Sequence, residues 1–587
     1  MSLDDLSLLR AFEPEVRFTR GEYFFPVAVE RYVERAALWG DSKGGGDVLL
    51  AEPRSLTLAG LGAGSSTEGI GEALSGIVGP DKPKRTHVPL ADRPPRLRGG
   101  SRLAAVGLLA RLVDALNRLS LVFRGSVPGG SALRSYQLQL DHLAPHEPAY
   151  QGRVVREDRW IVLQYWYFYA FNNWRSAFGG VNEHEADWEQ VTIYLDGTGE
   201  LDEDDLPPAR WVVFSAHDET GDDLRRRWDD PDLLLVERRH PVVFAGAGSH
   251  SGAYLPGDYL ITIPAPTLGG LVKVLRWFGR LVAPWGARDD DGGIGIPYVD
   301  YARGDGRVIG PTGAAWHPVL IDDDTGWVRD YRGLWGHDTR DRLGGERGPA
   351  GPRYERDGTV RQSWADPVGW AGLAKVAPNP RVESDLLVAR ANGLCARLVE
   401  LTHELEAGRE ELRVQAAGLA PGSPETHALR FEELRLLTMS MDLTQLRDEY
   451  ARVRASADAA PRPTEPHAHL SHRRLPLTPL TGVRSRLLTG WAVVSTPVIL
   501  LVAALIAAPW LGWDITSASV LWLFGLMLLE GFLRGHFLGV LARIVIGLLL
   551  LSAVYWLVVD WRIVLAVLLG GAGLLLLVVN LRDALKR

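Results

Sequence analysis

The sequence predicts a mixed architecture: a β-sandwich-like soluble domain with helical insertions, an α-helical hairpin stalk, and a C-terminal four-helix transmembrane bundle. Three observations predict it. Charged residues nearly vanish after Arg486. Between about Glu383 and Val453, apolar residues recur in alternating steps of four and three, the heptad signature of packed helices. Ahead of both lie aromatic and β-branched runs separated by Gly- and Pro-rich loops, as expected of strands and turns. A chain of 587 residues exceeds one compact core. The expected divisions are 1–375, the stalk 383–457, a Pro-rich linker 458–485 and the membrane part 486–582.

The soluble part is read first from its strands. Trp160–Phe171, WIVLQYWYFYAF, is apolar on both faces, as in a central strand. After a turn-rich interval comes NEHEADWEQVTIYLD (Asn182–Asp196). Strand alternation puts Asp187, Glu189, Val191, Ile193 and Leu195 on one face and Trp188, Gln190, Thr192 and Tyr194 on the other. Two carboxylates roughly 7 Å apart then lie at the end of an apolar face. Burying an uncompensated carboxylate costs several kcal/mol, so a partner is required. A bound cation is the simplest partner, with His184 as third ligand. An arginine, Arg175 or Arg210, is the alternative. With two carboxylates, few imidazoles and no thiol, a hard divalent cation fits: Ca²⁺ or Mg²⁺, with Mn²⁺ also compatible. Further polar groups stand at strand ends: His217 after Trp211–Ala216, and His250 in the loop GAGSHSG. With Asn173 and Trp188 they form the expected ligand-binding set around the metal.

Two insertions show helical periodicity, Gly100–Val122 and Pro266–Val282. In the second, Lys273, Arg276 and Arg280 make a basic stripe beside an apolar face, suited to an anionic membrane surface or to packing on the β-domain.

The stalk is expected as an antiparallel hairpin. Its first helix carries Leu387, Ala391, Leu394, Leu398, Leu401, Leu405 and Leu412, with Gly408 at the one weak seam position. A break at Gly418–Pro424 follows. The second helix carries Leu429, Leu436, Met439, Leu443, Leu446, Tyr450 and Val453. The linker's His467, His469 and His472 are read as solvated.

Four apolar stretches follow, about Leu488–Ala508, Ile515–Leu533, Phe537–Val559 and Ile563–Asn580, each near the length that crosses a bilayer. Arg473, Arg474, Arg484 and Arg486 precede the first, while the first link lacks basic residues. The positive-inside rule then puts both termini and the soluble domain in the cytoplasm. Glu530 and Arg534, one turn apart, are expected to pair. The spans show no series of central acids of the kind a proton or ion pathway needs.

Composition narrows the setting. The net charge of −8 is spread along the chain, which argues against nucleic-acid binding. The single cysteine, Cys395, rules out an internal disulfide and fits a reducing compartment. The N-terminus has no apolar run of the secretory type. Abundant Ala, Gly, Pro and Arg with few Lys is the usage of a GC-rich bacterial genome, such as an actinobacterium's.

Several motifs in order resemble the vacuolar protein sorting-associated protein sixty-two family. They are FTRGEYFFPVAVERYV (Phe18–Val33), LQYWYFYAFN (Leu163–Asn172), NEHEADWEQVTIYL, VVFSAH (Val212–His217), HPVVFAGAGSHSGAY (His240–Tyr254) and YRGLWG…GERGPAGP, together covering roughly residues 15–375. A looser likeness is to necrosis- and ethylene-inducing peptide-like proteins, whose GHRHDWE has the same H-x-x-D-W-E spacing. That likeness implies a β-sandwich with a divalent cation that recognises sphingolipid head groups, and direct or water-mediated ligation by His184, Asp187 and Glu189. The interval Asn172–Asn182 offers no acid to match that group's upstream acidic ligand.

The expected function is a membrane-anchored, cytoplasm-facing adaptor. Its cation site would recognise a lipid head group, glycan or protein, or the protein would dock a large cytoplasmic assembly. Homo-oligomerisation through the stalk or the membrane bundle is compatible with this. The rival is a metal-dependent hydrolase with Glu189 or His217 as base and His250 stabilising charge. A scaffold with a vestigial site is the third reading.

Overall fold

The computed structural model describes residues 4–41, 47–64, 72–75, parts of 104–115, 131–143, 147–173, 184–198, 201–202, 204–214, 221–264, 293–336, 348–420, 423–458, 476–477, 482–506, 515–559 and 561–585. It is a mixed α/β protein, 49% helix and 22% strand, whose sheets stay open. The expected sandwich-like domain is realised in this coarser form. The chain forms two compact units. The first comprises Met1–Leu97, Ser126–Tyr259 and Asp300–Pro476; the second comprises Arg98–Gly125, Leu260–Val299 and Leu477–Arg587.

The first unit is built on a six-stranded sheet. Its order is His317–Leu320, Ala149–Glu157, Trp160–Asn172, His184–Asp196, Ala209–Phe214 and Arg225–Arg227. The two central strands are the aromatic runs expected there. They pair antiparallel from Trp160↔Asp196 through Tyr167↔Glu189 and Tyr169↔Asp187 to Asn172↔His184. Because side chains alternate, Tyr165, Tyr167 and Tyr169 share a face with Val191, Ile193 and Leu195. A second sheet runs Leu235–Val236, His240–Ala245, Glu15–Phe18, Val308–Ile309, with Gly252–Ala253 on His240–Ala245. Glu15–Phe18 and His240–Ala245 pair in parallel. Val16, Phe18, Val243 and Ala245 from this sheet join Tyr165, Tyr167, Tyr169, Val191 and Ile193 in one core. On the other face, Trp160, Val162, Tyr194, Trp211 and Val213 pack against Ala371 and Leu373.

The hairpin has the expected limits, Pro380–Ala416 and Pro424–Asp458. Asn379 caps the first helix by accepting from the Val382 amide at 3.0 Å, and Pro380 occupies the first turn, where its missing N–H costs nothing. Gly418, at φ +86°, ends that helix in the left-handed conformation that glycine adopts without strain. Leu401, Leu405, Leu436 and Leu443 form the seam. Gly408 proves to be a fitted position: a Cβ there would lie 2.6 Å from Leu436 Cδ2, so the leucine fills the space glycine leaves.

In the second unit, helices run Gly482–Ile506, Ile515–Arg534, Phe537–Val559 and Trp561–Leu585. Among the described residues, one segment, Gly482–Val502, is long and apolar enough to cross a membrane; Phe537–Leu549 and Leu569–Arg582 are shorter apolar stretches. Among those residues this falls short of the four spans expected. It is weak support for membrane association and does not support a multi-pass bundle. Glu530 pairs with Arg534 at 2.6 Å, as its spacing predicts. It also accepts from Trp491 Nε1 at 2.6 Å and pairs with Arg111 of the first insertion, whose guanidinium is buried.

Candidate functional site

A cluster of charged side chains is sealed where three chain segments meet in the first unit. His250, Asp187, Glu189 and Asn172 are at most 4% exposed. Each owes its place to local backbone chemistry. Asp187 and Glu189 project from the His184–Asp196 strand as the alternation predicts. Ala186 beside them has φ +61°, a conformation costly for a residue with a Cβ.

His250 comes from the glycine-rich loop after His240–Ala245. That loop is held by hydrogen bonds from Gly246 N to Ser251 O at 3.1 Å and from His250 N to Gly246 O at 2.9 Å. Ser249 Oγ and Ser251 Oγ donate to the two carboxylate oxygens of Asp300 at 2.6 and 2.7 Å. Gly246 packs so closely on this arrangement that a Cβ would come within 2.2 Å of Asp300 Oδ1. His250 itself has φ +57°, so the loop is built to aim one imidazole inward.

The ring lies flat on Tyr169, centroids 3.8 Å apart and planes 5° apart. Its Nδ1 donates to Asp187 Oδ2 at 2.9 Å, and Asn172 Nδ2 donates to the same oxygen at 3.1 Å. Its Nε2 lies 3.8 Å from Glu22 Oε1. Glu22 in turn accepts from the Tyr23 and Phe24 amides at 2.7 and 3.0 Å and from the Gly248 amide at 2.7 Å.

Burial alone would lower the His250 pKa. The hydrogen bond to Asp187, with the negative charge of Asp187 and of Glu22 close by, outweighs it and pushes the pKa up to about 9. The ring is therefore an imidazolium at neutral pH. The same carboxylates act oppositely on Tyr169: burial first, then Glu189, Asp187 and Glu22, hold its hydroxyl well above the ordinary phenol range. Arg361 is the arginine that senses Glu189; its pKa is lowered, chiefly by burial, with Glu355 and Glu189 opposing.

Asp187 thus has a charged partner of the kind the sequence demanded, and it is an imidazole. His250, assigned to ligand binding, supplies the positive charge. Among the described residues, no group of three or more His, Cys, Asp or Glu is arranged to hold a metal ion. His184 Nδ1 donates to the Ala186 carbonyl at 2.7 Å. Its register partner is Asn172, whereas that of Asp187 is Tyr169. His250 Nδ1 and Asn172 Nδ2 thus share Asp187 Oδ2, while the His184 ring is turned to its own strand's backbone. Of the two arginines expected as alternative partners, Arg210 lies 3.6 Å from Asp196.

Trp188 packs on Phe168, Trp327 and Trp335, at the aromatic core. Asn173 is half-buried at the end of the Trp160 strand. His217, Arg175, Lys273, Arg276 and Arg280 lie outside the described residues. Sequence reasoning missed Glu22. Its signal was the unexplained acid in FTRGEYFF, within a stretch otherwise suited to a core.

No family model, curated protein or solved structure matches this chain.

Proposed function

We propose that the protein is a cytoplasm-facing adaptor anchored in the bacterial inner membrane by its C-terminal helices. Its β-rich unit recognises a lipid head group, glycan or protein rather than turning over a substrate. The observation that carries this reading is the enclosure of the charged cluster. Glu22, Asp187 and His250 come from three distant segments and are buried, with the imidazolium between the two carboxylates. A group that must attack or protonate a substrate needs to reach it. A closed ion cluster instead fixes the backbone around it, here the Gly246–Ser251 loop and the end of the His184 strand. The resemblance of the motifs to a ligand-recognising fold agrees with that role.

Anchoring is supported by the side chains of the second unit. Leu521, Trp522, Phe532, Leu549 and Leu574 are between 64% and 71% exposed. Apolar surface of this kind in water would drive aggregation, whereas hydrocarbon solvates it. We extend this to four spans, with both termini inside, on the arginine distribution.

The chain carries its own reporter of sidedness. Cys395 is the single cysteine and is exposed on the first hairpin helix. A membrane-impermeant maleimide should label it in inside-out membrane vesicles and leave it unlabelled in intact cells. Labelling in intact cells, or recovery of the protein in the soluble fraction after cell breakage, would overturn the proposal.

A further inference from the structure

The second hairpin helix carries two apolar seams, and the hairpin uses only one. Leu436 and Leu443 are buried against the first helix, with Met439 and Leu446 beside them. On the far side, Leu434, Leu437 and Met441 are 59%, 58% and 60% exposed. They belong to a series Arg430, Leu434, Leu437, Met441, Thr444, Asp448, spaced by four, three, four, three and four residues. That is a heptad seam in its own right. It faces outward along a helix already packed on its other side.

The series is palindromic. Read from either end its spacing is the same, and its midpoint is position 439. A two-fold axis at that point sets Leu437 against Met441 of a second copy, Leu434 against Thr444, and Arg430 against Asp448. The apolar residues fall at the centre and the opposite charges at the two ends. Within one chain Arg430 and Asp448 are about 27 Å apart along the helix, beyond any intramolecular contact. Both are exposed, and among the described residues neither takes an ion pair. Two-fold symmetry doubles each contact, so one matched pair becomes two. Leu434 and Leu437 also line a groove with Arg409, Leu412 and Ser440, which gives side chains of a second helix a place to insert.

We infer that this seam is a homodimer interface, in which the Pro424–Asp458 helices of two copies pack antiparallel about a two-fold axis near position 439. The inference goes beyond the adaptor reading and does not depend on the charged cluster of the β-rich unit. A lipid surface could cover the three apolar residues, but it would not require Arg430 and Asp448 to be matched.

The test uses the full chain in mild detergent, with mass measured by light scattering across a concentration series. The wild type should be a dimer. Arg430→Asp and Asp448→Arg should each weaken it at least about tenfold, because each sets like charges opposite one another twice. The double variant should restore it, and Leu437→Glu should give a monomer of unchanged helix content by circular dichroism. Three outcomes would overturn the inference: a monomeric wild type, a double variant no better than the single ones, or dimers that persist in Leu437→Glu.

Discussion

Replacing His250 with glutamine removes the imidazolium from between Asp187 and Glu22 while keeping a side chain of similar reach. The structure sets the size and sign of the effect. A rise from the ordinary value of 6.5 to about 9 on folding corresponds to about 3 kcal/mol of stability, to order of magnitude. No discount for solvent screening applies, since the side chain is 0% exposed. Because the folded value lies above the unfolded one, this stability is fully present below pH 6.5 and is lost as pH rises through 9. Wild type and His250→Gln should therefore differ most at pH 6.5 and below, and converge by about pH 9.5. For a domain of a few hundred residues the gap at the low end is roughly 6–12 °C in apparent Tm. The assay is tryptophan fluorescence during heating of full-length protein in nanodiscs, repeated from pH 6 to 9.5; Trp188 and Trp335 in the core serve as reporters. A gap that stays constant with pH would refute the imidazolium assignment, whatever its size.

Two further outcomes follow from the same site. Gly246→Ala should lower the apparent Tm and destabilise by about 1–3 kcal/mol, the usual cost of overpacking, because its Cβ would sit 2.2 Å from both Ser249 Oγ and Asp300 Oδ1; an unchanged Tm would show that the loop is not held as described. Titrating Ca²⁺ or Mg²⁺ into wild-type protein should leave the Tm unchanged near pH 7, since His250 already supplies the cluster's cation. A saturable rise that Asp187→Asn abolishes would reinstate the metal-organised reading.

Much of this was legible in the residues. The two central strands were, because their aromatic and β-branched content and their alternation fixed both their extent and the face on which Asp187 and Glu189 lie. The hairpin was, since heptad spacing and a Gly/Pro break need no tertiary information, and so was the pairing of Glu530 with Arg534, a contact within one turn. What local pattern could not carry was the identity of partners brought from far along the chain. The distance from Glu22 to Gly248 is 226 residues, and the parallel pairing of Glu15–Phe18 with His240–Ala245 that brings them together leaves no periodic trace in either strand. His250 was visible as a polar residue at a strand end. Its charge was not, because the charge depends on two carboxylates from other segments. Nor could nearness in sequence show that His184 Nδ1 turns to the Ala186 carbonyl, with the positive φ at Ala186 lying between it and Asp187. The first insertion, Gly100–Val122, was expected as an elaboration of the β-domain. Arg98–Gly125 instead belongs to the C-terminal unit, through a pairing spread over most of the chain.

That last pairing has a consequence for biosynthesis. Arg111 leaves the ribosome 419 residues ahead of Glu530. At elongation rates of about 5–20 residues per second the wait is about 20 to 80 seconds. Throughout it the strands Ala149–Glu157, Trp160–Asn172 and His184–Asp196 are already available to fold, while Glu530 has yet to be made. The Arg111–Glu530 pair can therefore form only after most of the chain has been made.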